Sequence, residues 1–166
     1  ITAGAWSPSL SKKIGAELPV QPAKGYSLSY NRTGLSVKTP MLLSEAKIGV
    51  NPVIDGIRLA GTLELTGIDS SINEKRVQAI VDGAHQYLVG DSAKFEVTNV
   101  WTGMRPVTPD GVPVIDRIPN MENLIVATGH AMLGMTMGPV TGKAVSEIVV
   151  GGPNSMDLMP LKFGRF

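Results

Sequence analysis

The chain has 166 residues, of which 43% are hydrophobic and 17% charged, and its formal net charge is +1. This length is enough for one domain with a real core, and the near-neutral charge gives no reason to expect nucleic acid as a partner. No apolar run approaches the roughly 18 residues of a membrane span, so we expect no transmembrane segment. The absence of cysteine excludes disulfides and thiolate chemistry, and the two histidines, His85 and His130, lie too far apart for a local metal motif.

The first elements are a short helix and a strand. Residues 7–14 are predicted to be helical because Ser7 is a suitable N-cap, Pro8 suits the first helical position and Gly15 would end the helix. A partial alternation of apolar and polar residues then predicts a strand that begins at about Lys24 and ends at Tyr30.

Two apolar runs, residues 41–50 and 57–65, predict an antiparallel hairpin. The Asp-Gly pair at positions 55 and 56 between them is a strong tight-turn signal. Strict alternation in the second run places one set of residues on a common face, namely Ile57, Leu59, Gly61, Leu63 and Leu65.

The second half of the chain predicts two further helices and three short strands. Helical periodicity runs from about residue 70 to Gly90, and a strand is expected from Phe95 to Trp101. Residues 112–115 and 124–127 predict strands, and residues 138–150 predict a helix that starts at Gly138 and Pro139. Hairpins outnumber crossovers, so the fold class is α+β around a mainly antiparallel or mixed sheet.

Arg105 is the strongest candidate for chemistry. It lies in the sequence Gly-Met-Arg-Pro-Val-Thr-Pro, which we interpret as a proline-braced loop. A guanidinium is the natural clamp for a carboxylate because its planar fork donates two parallel hydrogen bonds. The alternative is a surface arginine in a proline-rich loop, and the residues alone leave both readings open.

The turn after residue 127 is the second candidate. His130 could contact a ligand edge or be a satisfied structural residue, and the glycines at 134, 138 and 142 could serve close packing or the approach of a ligand. Met132, Met135 and Met137 are either core residues or contacts of a planar cofactor. The chain contains no Gly-x-Ser-x-Gly elbow, Walker loop or Gly-x-Gly-x-x-Gly fingerprint. The residues alone therefore predict an α+β domain with a candidate anion site.

Four blocks give the chain a family resemblance, in the order Ala-Gly-Ala-Trp-Ser at 3–7, Pro-Ala-Lys-Gly-Tyr-Ser at 22–27, residues 101–113, and Thr-Gly-His-Ala-Met-Leu-Gly-Met-Thr at 128–136. Together they resemble the C-terminal half of the D-amino-acid oxidase superfamily of FAD-dependent oxidoreductases, most closely its bacterial D-amino-acid dehydrogenase branch. The resemblance implies three parts: the end of an FAD-binding part at 1–15, a substrate-binding domain at 16–111 and a C-terminal FAD-binding segment at 112–166. It also implies that the chain is a fragment that lacks an N-terminal FAD-binding region, that it does not retain FAD and that it is inactive alone.

The resemblance also assigns roles to individual residues. Arg105 would pair with the substrate carboxylate, and the substrate pocket would include Met104, His130, Leu133 and Tyr26. The residues implied to contact FAD are Gly4, Trp6, Gly129, His130, Met132, Leu133, Gly134, Met135 and Thr136. The helix after this segment would direct its positive end toward the flavin and stabilise negative charge there.

The implied function is oxidative deamination of an amino acid, from a D-amino acid to an imine and then a 2-oxo acid, with hydride passing to flavin N5. The electron acceptor would be a quinone or the respiratory chain for a dehydrogenase and oxygen for an oxidase, and the residues leave this open. The implied location is cytoplasmic, peripheral on the inner face of the cell membrane. Two alternatives stay open: an oxidase or dehydrogenase of glycine, sarcosine or hydroxyproline type, and a non-catalytic α+β binding module.

Overall fold

The computed structural model describes residues 1–31, 37–88 and 96–166. The chain divides into two compact units: unit 1 contains residues 1–23 and 104–166, and unit 2 contains residues 24–103. Three α-helices and seven strands lie in the described ranges, and the strand pairings are antiparallel wherever their register is defined. The predicted α+β class with a mainly antiparallel sheet is confirmed.

The main sheet has the strand order β2-β3-β4-β1-β5. Its strands are β1 (Gln21–Asn31), β2 (Met41–Leu43), β3 (Ile48–Val53), β4 (Gly56–Glu64) and β5 (Val97–Val107). The predicted hairpin is confirmed as the pair β3 and β4, but its first run forms two strands, because the chain turns at Lys47, whose φ is 57°.

A bulge in β4 overturns the predicted alternation of that strand. Ile57, Leu59 and Gly61 are buried, whereas Leu63 and Leu65 are 50% and 62% exposed. Lys24 pairs with Glu64 and Tyr26 pairs with Gly61, so the single residue between Lys24 and Tyr26 faces two residues of β4, of which Thr62 has a φ of 56°. The extra residue reverses the side-chain order beyond position 61 and places Glu64 beside Lys24.

Helix α2 (Glu74–His85) packs on the sheet of unit 2 and starts later than the predicted residue 70. Asn73 is its N-cap, and the Asn73 side chain accepts a hydrogen bond from the Lys75 N–H, which fixes the first turn. Ile80 and Ala84 enter the core with the buried residues of the sheet. Gly90 and Phe95, predicted as the helix end and a strand start, lie outside the described residues.

Strand β5 contradicts the predicted loop around Arg105, because the strand continues to Val107 and includes both Arg105 and Pro106. The order of the sheet explains how proline is accommodated: β5 is an edge strand, where a residue without an N–H does not interrupt a ladder on both sides. Pro106 is therefore compatible with a strand, whereas Pro109 and Pro113 lie between β5 and β6.

Unit 1 is built on the antiparallel pair of β6 (Val114–Ile118) and β7 (Met121–Thr128). A turn of 3-10 helix, Gly4–Trp6, leads into helix α1 (Ser7–Lys12), which ends before the predicted residue 14. Ser7 is not the N-cap as predicted, because its hydroxyl instead donates to Thr128 Oγ1 at 3.0 Å. The Ile1 amino group donates to the Ile125 carbonyl and the Ala127 N–H donates to the Ile1 carbonyl, the pattern of a parallel bridge on the other side of β7.

Helix α3 (Gly134–Val150) starts four residues before the predicted Gly138. Pro139 is inside the helix, and the hydrogen bond that it removes is the one to the carbonyl of Met135, an exposed residue. Ala144 packs against Ile115 and Ala127 in the core, and Gly151 ends the helix with a φ of 76°. None of the helices in the described residues has the length and apolarity that a membrane crossing requires.

Candidate functional site

Arg105 presents a buried, unpaired donor. Its Nη1 atom is inaccessible to solvent and has no hydrogen-bond partner among the described residues. Burial lowers the pKa of the guanidinium, yet an arginine stays charged at any physiological pH. A desolvated cationic N–H without an acceptor is costly. Because Arg105 as a whole is partly exposed, its guanidinium suits an anionic ligand that supplies the acceptor.

The turn that begins at Gly129 is joined to the residue after Arg105. Gly129 has a φ of 84°, and a Cβ at this position would lie 2.6 Å from Thr108 Cγ2, so the turn requires glycine on both counts. Ala131 also has a positive φ, 47°, and its N–H donates to the carbonyl of Pro106 at 2.9 Å. Strand β5 and the turn are thus held together beside Arg105.

Gly4 approaches the same proline from another segment. Its φ is 54°, and a Cβ at this position would lie 4.0 Å from Pro106 Cγ. The Gly4 carbonyl accepts a hydrogen bond from Thr128 Oγ1 at 3.1 Å, which ties it to the end of β7. Trp6, two residues further on, is exposed. Three separate segments of unit 1 therefore meet around Pro106.

An apolar, exposed surface surrounds the start of α3. Met132, Leu133 and Met135 are 76%, 56% and 93% exposed, and Gly134 and Thr136 are exposed as well. The first N–H groups of a helix have no hydrogen-bond partner within the helix. This surface therefore combines apolar side chains with backbone N–H donors. Such a combination suits a planar aromatic group that carries electronegative atoms at its edge.

His130 is tied to α3. Its Nε2 atom lies 2.9 Å from Thr141 Oγ1, and burial lowers the pKa of the imidazole, which favours the neutral ring. The side chain thus braces the turn against the helix. The described residues contain no group of three or more His, Cys, Asp or Glu that could hold a metal ion.

Met104 and Tyr26 differ in where the structure places them. Met104 is partly buried and directly precedes Arg105 in β5. Tyr26 lies in unit 2, where it is 1% exposed within the core. Its hydroxyl donates to Glu64 Oε2 at 2.7 Å and accepts from the Asn73 N–H at 3.2 Å, so it is occupied by structural bonds.

Lys24, which the sequence analysis identified only as the approximate start of a strand, belongs to a charged cluster in unit 2. Its side chain is only 2% exposed, and Nζ lies 2.7 Å from Asp69 Oδ2 and 3.3 Å from Glu64 Oε2. The bond to Lys24 holds the pKa of Asp69 down at about 2, and the Tyr26 hydroxyl is the main cause of a lowered pKa at Glu64. The Asp-Ser-Ser turn at 69–71, in which Asp69 also accepts from Ser71, is the sequence signal that could have indicated this cluster.

The family model for DAO, described as FAD dependent oxidoreductase, matches residues 1–148. The chain belongs to this family of FAD-dependent oxidoreductases. It is 36% identical over 168 residues to a D-amino acid dehydrogenase of Vibrio atlanticus (strain LGP32), covering 100% of this chain and 40% of the relative. A D-amino acid dehydrogenase of Vibrio vulnificus (strain CMCP6) is 38% identical over 164 residues, covering 95% of this chain and 39% of the relative. The chain therefore spans about 40% of the length of the curated relatives that it matches.

Two solved structures share the fold of this chain. The glycine oxidase from Geobacillus kaustophilus aligns with a TM-score of 0.87 and 27% identity, over 98% of this chain and 44% of that chain. The L-proline dehydrogenase from P. horikoshii aligns with a TM-score of 0.84 over 99% of this chain and 46% of that chain, and its 18% identity supports the fold alone.

Proposed function

We propose that this chain is the substrate-binding and C-terminal part of an FAD-dependent oxidoreductase that oxidatively deaminates D-amino acids. Family membership and the relatives' names support the class of reaction. The observation that carries the proposal is the buried Nη1 of Arg105, which lacks an acceptor. A substrate carboxylate would supply that acceptor, and a bidentate pair would also fix the orientation of the adjacent Cα.

The residues around α3 fit FAD. The left-handed turn at Gly129, the exposed Met132, Leu133 and Met135, and the free N–H groups of the first helical turn provide an apolar surface with donors. We propose that this surface holds the flavin, with the following contacts: Gly4, Trp6, Gly129, His130, Met132, Leu133, Gly134, Met135 and Thr136. When bound, FAD would supply the redox chemistry by accepting a hydride from the substrate.

In this proposal the chain itself binds the substrate, orients it and excludes water from it. Arg105 holds the carboxylate, while Met104 and Leu133 line the substrate side. Loss of hydride and a proton from the amino acid gives the imine, and water then releases ammonia and the 2-oxo acid. His130 has its Nε2 engaged by Thr141, so we assign it to bracing the turn rather than to proton transfer. Tyr26 is left out of the proposed pocket because its hydroxyl is already bonded.

The proposed parts follow the earlier division: 1–15 and 112–166 with the FAD-binding part, and 16–111 with the substrate domain. The parallel bridge between Ile1 and β7 supports the first assignment, because nucleotide-binding sheets are mainly parallel. We also propose that an N-terminal FAD-binding region completes the site. We further propose a quinone or the respiratory chain as the electron acceptor, which agrees with the relatives' name of dehydrogenase. A cytoplasmic location, peripheral to the inner face of the membrane, is part of the same proposal.

The test uses the full-length flavoprotein and compares Arg105→Ala, Arg105→Lys and Arg58→Ala. A charged hydrogen bond is worth about 2 kcal/mol, so Arg105→Ala should lower kcat/KM for a D-amino acid roughly 30-fold or more. Lysine keeps the charge but loses the fork, so an intermediate loss is expected. Arg58, an exposed arginine in β4, is the matched control and should leave kcat/KM unchanged.

A panel of substrates separates the candidates. Anaerobic bleaching of the flavin by neutral D-amino acids supports the proposal. Bleaching by glycine or sarcosine alone favours the glycine-oxidase type, which the likeness to the Geobacillus kaustophilus enzyme supports. A full-length protein that binds no flavin would instead favour the non-catalytic module. Equal kcat/KM values for Arg105→Ala and wild type would remove Arg105 as the carboxylate clamp.

A further inference from the structure

The end of the chain is fixed to the turn that follows β5. Arg165 Nε donates to Asp110 Oδ2 at 2.8 Å and Nη2 donates to Asp110 Oδ1 at 3.0 Å, so the pair is bidentate. Nη2 also donates to the Val112 carbonyl at 2.5 Å, and the guanidinium lies 4.4 Å from the centre of the Phe166 ring. Arg165 is 13% exposed and holds the pKa of Asp110 well below its ordinary value. The Asp110 side chain is 39% exposed, so the pair is fixed by its bidentate geometry and by the additional bond to Val112 rather than by burial.

The turn at residues 108–112, which Arg165 contacts, is also held by hydrogen bonds within it, and it includes Thr108. The Thr108 hydroxyl donates to the Val112 carbonyl at 2.8 Å, and the Gly111 N–H donates to the Thr108 carbonyl at 3.2 Å. Asp110 Oδ1 accepts from the Val112 N–H at 3.0 Å in addition to its bond from Arg165. The Val112 carbonyl thus serves both Thr108 and Arg165. These bonds leave the buried Thr108 side chain a single orientation.

The orientation of the Thr108 side chain limits where Gly129 can lie. The Thr108 methyl group occupies the space beside Gly129, where an added Cβ would lie 2.6 Å from Cγ2 and 3.5 Å from the Pro113 Cα. Gly129 in turn begins the segment that carries Met132, Leu133 and the start of α3. A continuous series of contacts therefore connects Arg165 to the surface proposed for the flavin.

We propose that Arg165 is a positioning residue for the cofactor: through Asp110, Val112 and Thr108 it holds the Gly129 turn in the shape that receives FAD. This inference rests on the proposed function, because it needs residues 129–136 to contact the flavin. Arg165 itself is not among the residues that we propose to touch substrate or cofactor. Its effect should therefore appear in the affinity and environment of the flavin rather than in recognition of the substrate carboxylate.

The experiment uses the full-length flavoprotein, stripped of FAD and titrated with FAD, with dissociation constants from flavin fluorescence and the visible spectrum of the loaded form as readouts. Arg165→Ala should raise the FAD dissociation constant at least tenfold and shift the flavin absorption bands. Arg165→Lys, which restores the charge and one bond to Asp110, should recover part of both effects. Arg76→Ala is the matched control, because Arg76 pairs with Glu64 in unit 2, and it should leave both readouts unchanged.

An Arg165→Ala protein with the wild-type FAD dissociation constant and spectrum would overturn the proposal. If that variant does not fold, Asp110→Asn takes its place, because it keeps the acceptor for the Val112 N–H but weakens the pair with Arg165; an unchanged dissociation constant and spectrum would overturn the proposal equally. Failure of the wild type to bind FAD would refute the proposed function itself. Wild-type binding with an unaffected Arg165→Ala would refute only the role of Arg165.

Discussion

Replacing Gly129 with alanine tests how the turn beside Arg105 is built. The new methyl group would lie 2.6 Å from Thr108 Cγ2, closer than carbon atoms approach, and Gly129 has a φ of 84°. The left-handed backbone costs a side-chain-bearing residue about 1–2 kcal/mol. Overpacking against a fixed neighbour costs about 1–3 kcal/mol, so the free energy of unfolding should fall by about 2–5 kcal/mol in total.

A second substitution separates these two contributions. Thr108→Ser removes the obstructing Cγ2 but keeps the hydroxyl that donates to Val112, so the double variant should regain the steric part. The backbone cost of about 1–2 kcal/mol should remain. Gly142→Ala is the control: a Cβ there meets nothing within 4 Å, and alanine is favoured over glycine inside a helix by about 1 kcal/mol.

Calorimetric unfolding of the flavin-free protein measures all four proteins under one set of conditions. We expect the free energy of unfolding to decrease in the order Gly142→Ala, wild type, the double variant and Gly129→Ala. If Gly129→Ala unfolds with the wild-type transition, the turn tolerates a Cβ and the fixed orientation of Thr108 is refuted. If adding Thr108→Ser to Gly129→Ala does not raise the free energy of unfolding, the overlap with Cγ2 is not the cause of the lost stability.

Two further predictions concern unit 2. Lys24 lowers the pKa of Asp69 to about 2, so the ion pair stabilises the fold fully above the ordinary pKa of 3.8, and this stabilisation is lost as the pH falls from 3.8 through about 2. The difference in melting temperature between wild type and Asp69→Asn should therefore shrink over this pH range. A difference that stays constant would contradict the assignment. Gly56→Ala would place a Cβ 1.8 Å from the Tyr30 carbonyl oxygen, and the free energy of unfolding, measured with urea, should fall by about 3 kcal/mol. Gly49→Ala is the control, because the nearest atoms to its Cβ would lie at 3.8 Å. Equal losses for the two variants would show that the overlap at Gly56 is relieved without cost.

Local patterns predicted the hairpin and the helices because these depend on neighbouring residues. The Asp-Gly signal located the hairpin of β3 and β4, although its turn consists of Ile54 and Asp55 and Gly56 already pairs with Val53. The periodicity around Ile80 indicated the buried side of α2. Alternation failed in β4 because the bulge at Thr62 depends on pairing with a distant strand. The loop assigned to Arg105 failed for a similar reason: only the strand order reveals that β5 is an edge where Pro106 is allowed.

The candidate site, like the fold, was predicted from the sequence only in part. Arginine chemistry and the family resemblance drew attention to Arg105, but its unpaired Nη1 is a property of three-dimensional burial that no local pattern contains. The pairing of Lys24 with Asp69 joins residues 45 positions apart, and that of Arg165 with Asp110 joins residues 55 apart. Charged residues at such separations look like solvated surface in a sequence, because partner and burial both arise from the fold.

Pro106 connects the two halves of the proposed chemistry. As a proline it has no N–H, so its carbonyl is its only backbone hydrogen-bonding group, and that carbonyl accepts the bond from Ala131. Ala131 occupies a left-handed conformation that costs alanine about 1–2 kcal/mol, so this hydrogen bond and the Gly129 contact must outweigh that cost. The proposed carboxylate clamp and the proposed flavin surface are therefore one residue and one hydrogen bond apart, and a shift in either moves the other. In the proposed function, this linkage would hold a site assembled from three distant segments with the precision that hydride transfer requires.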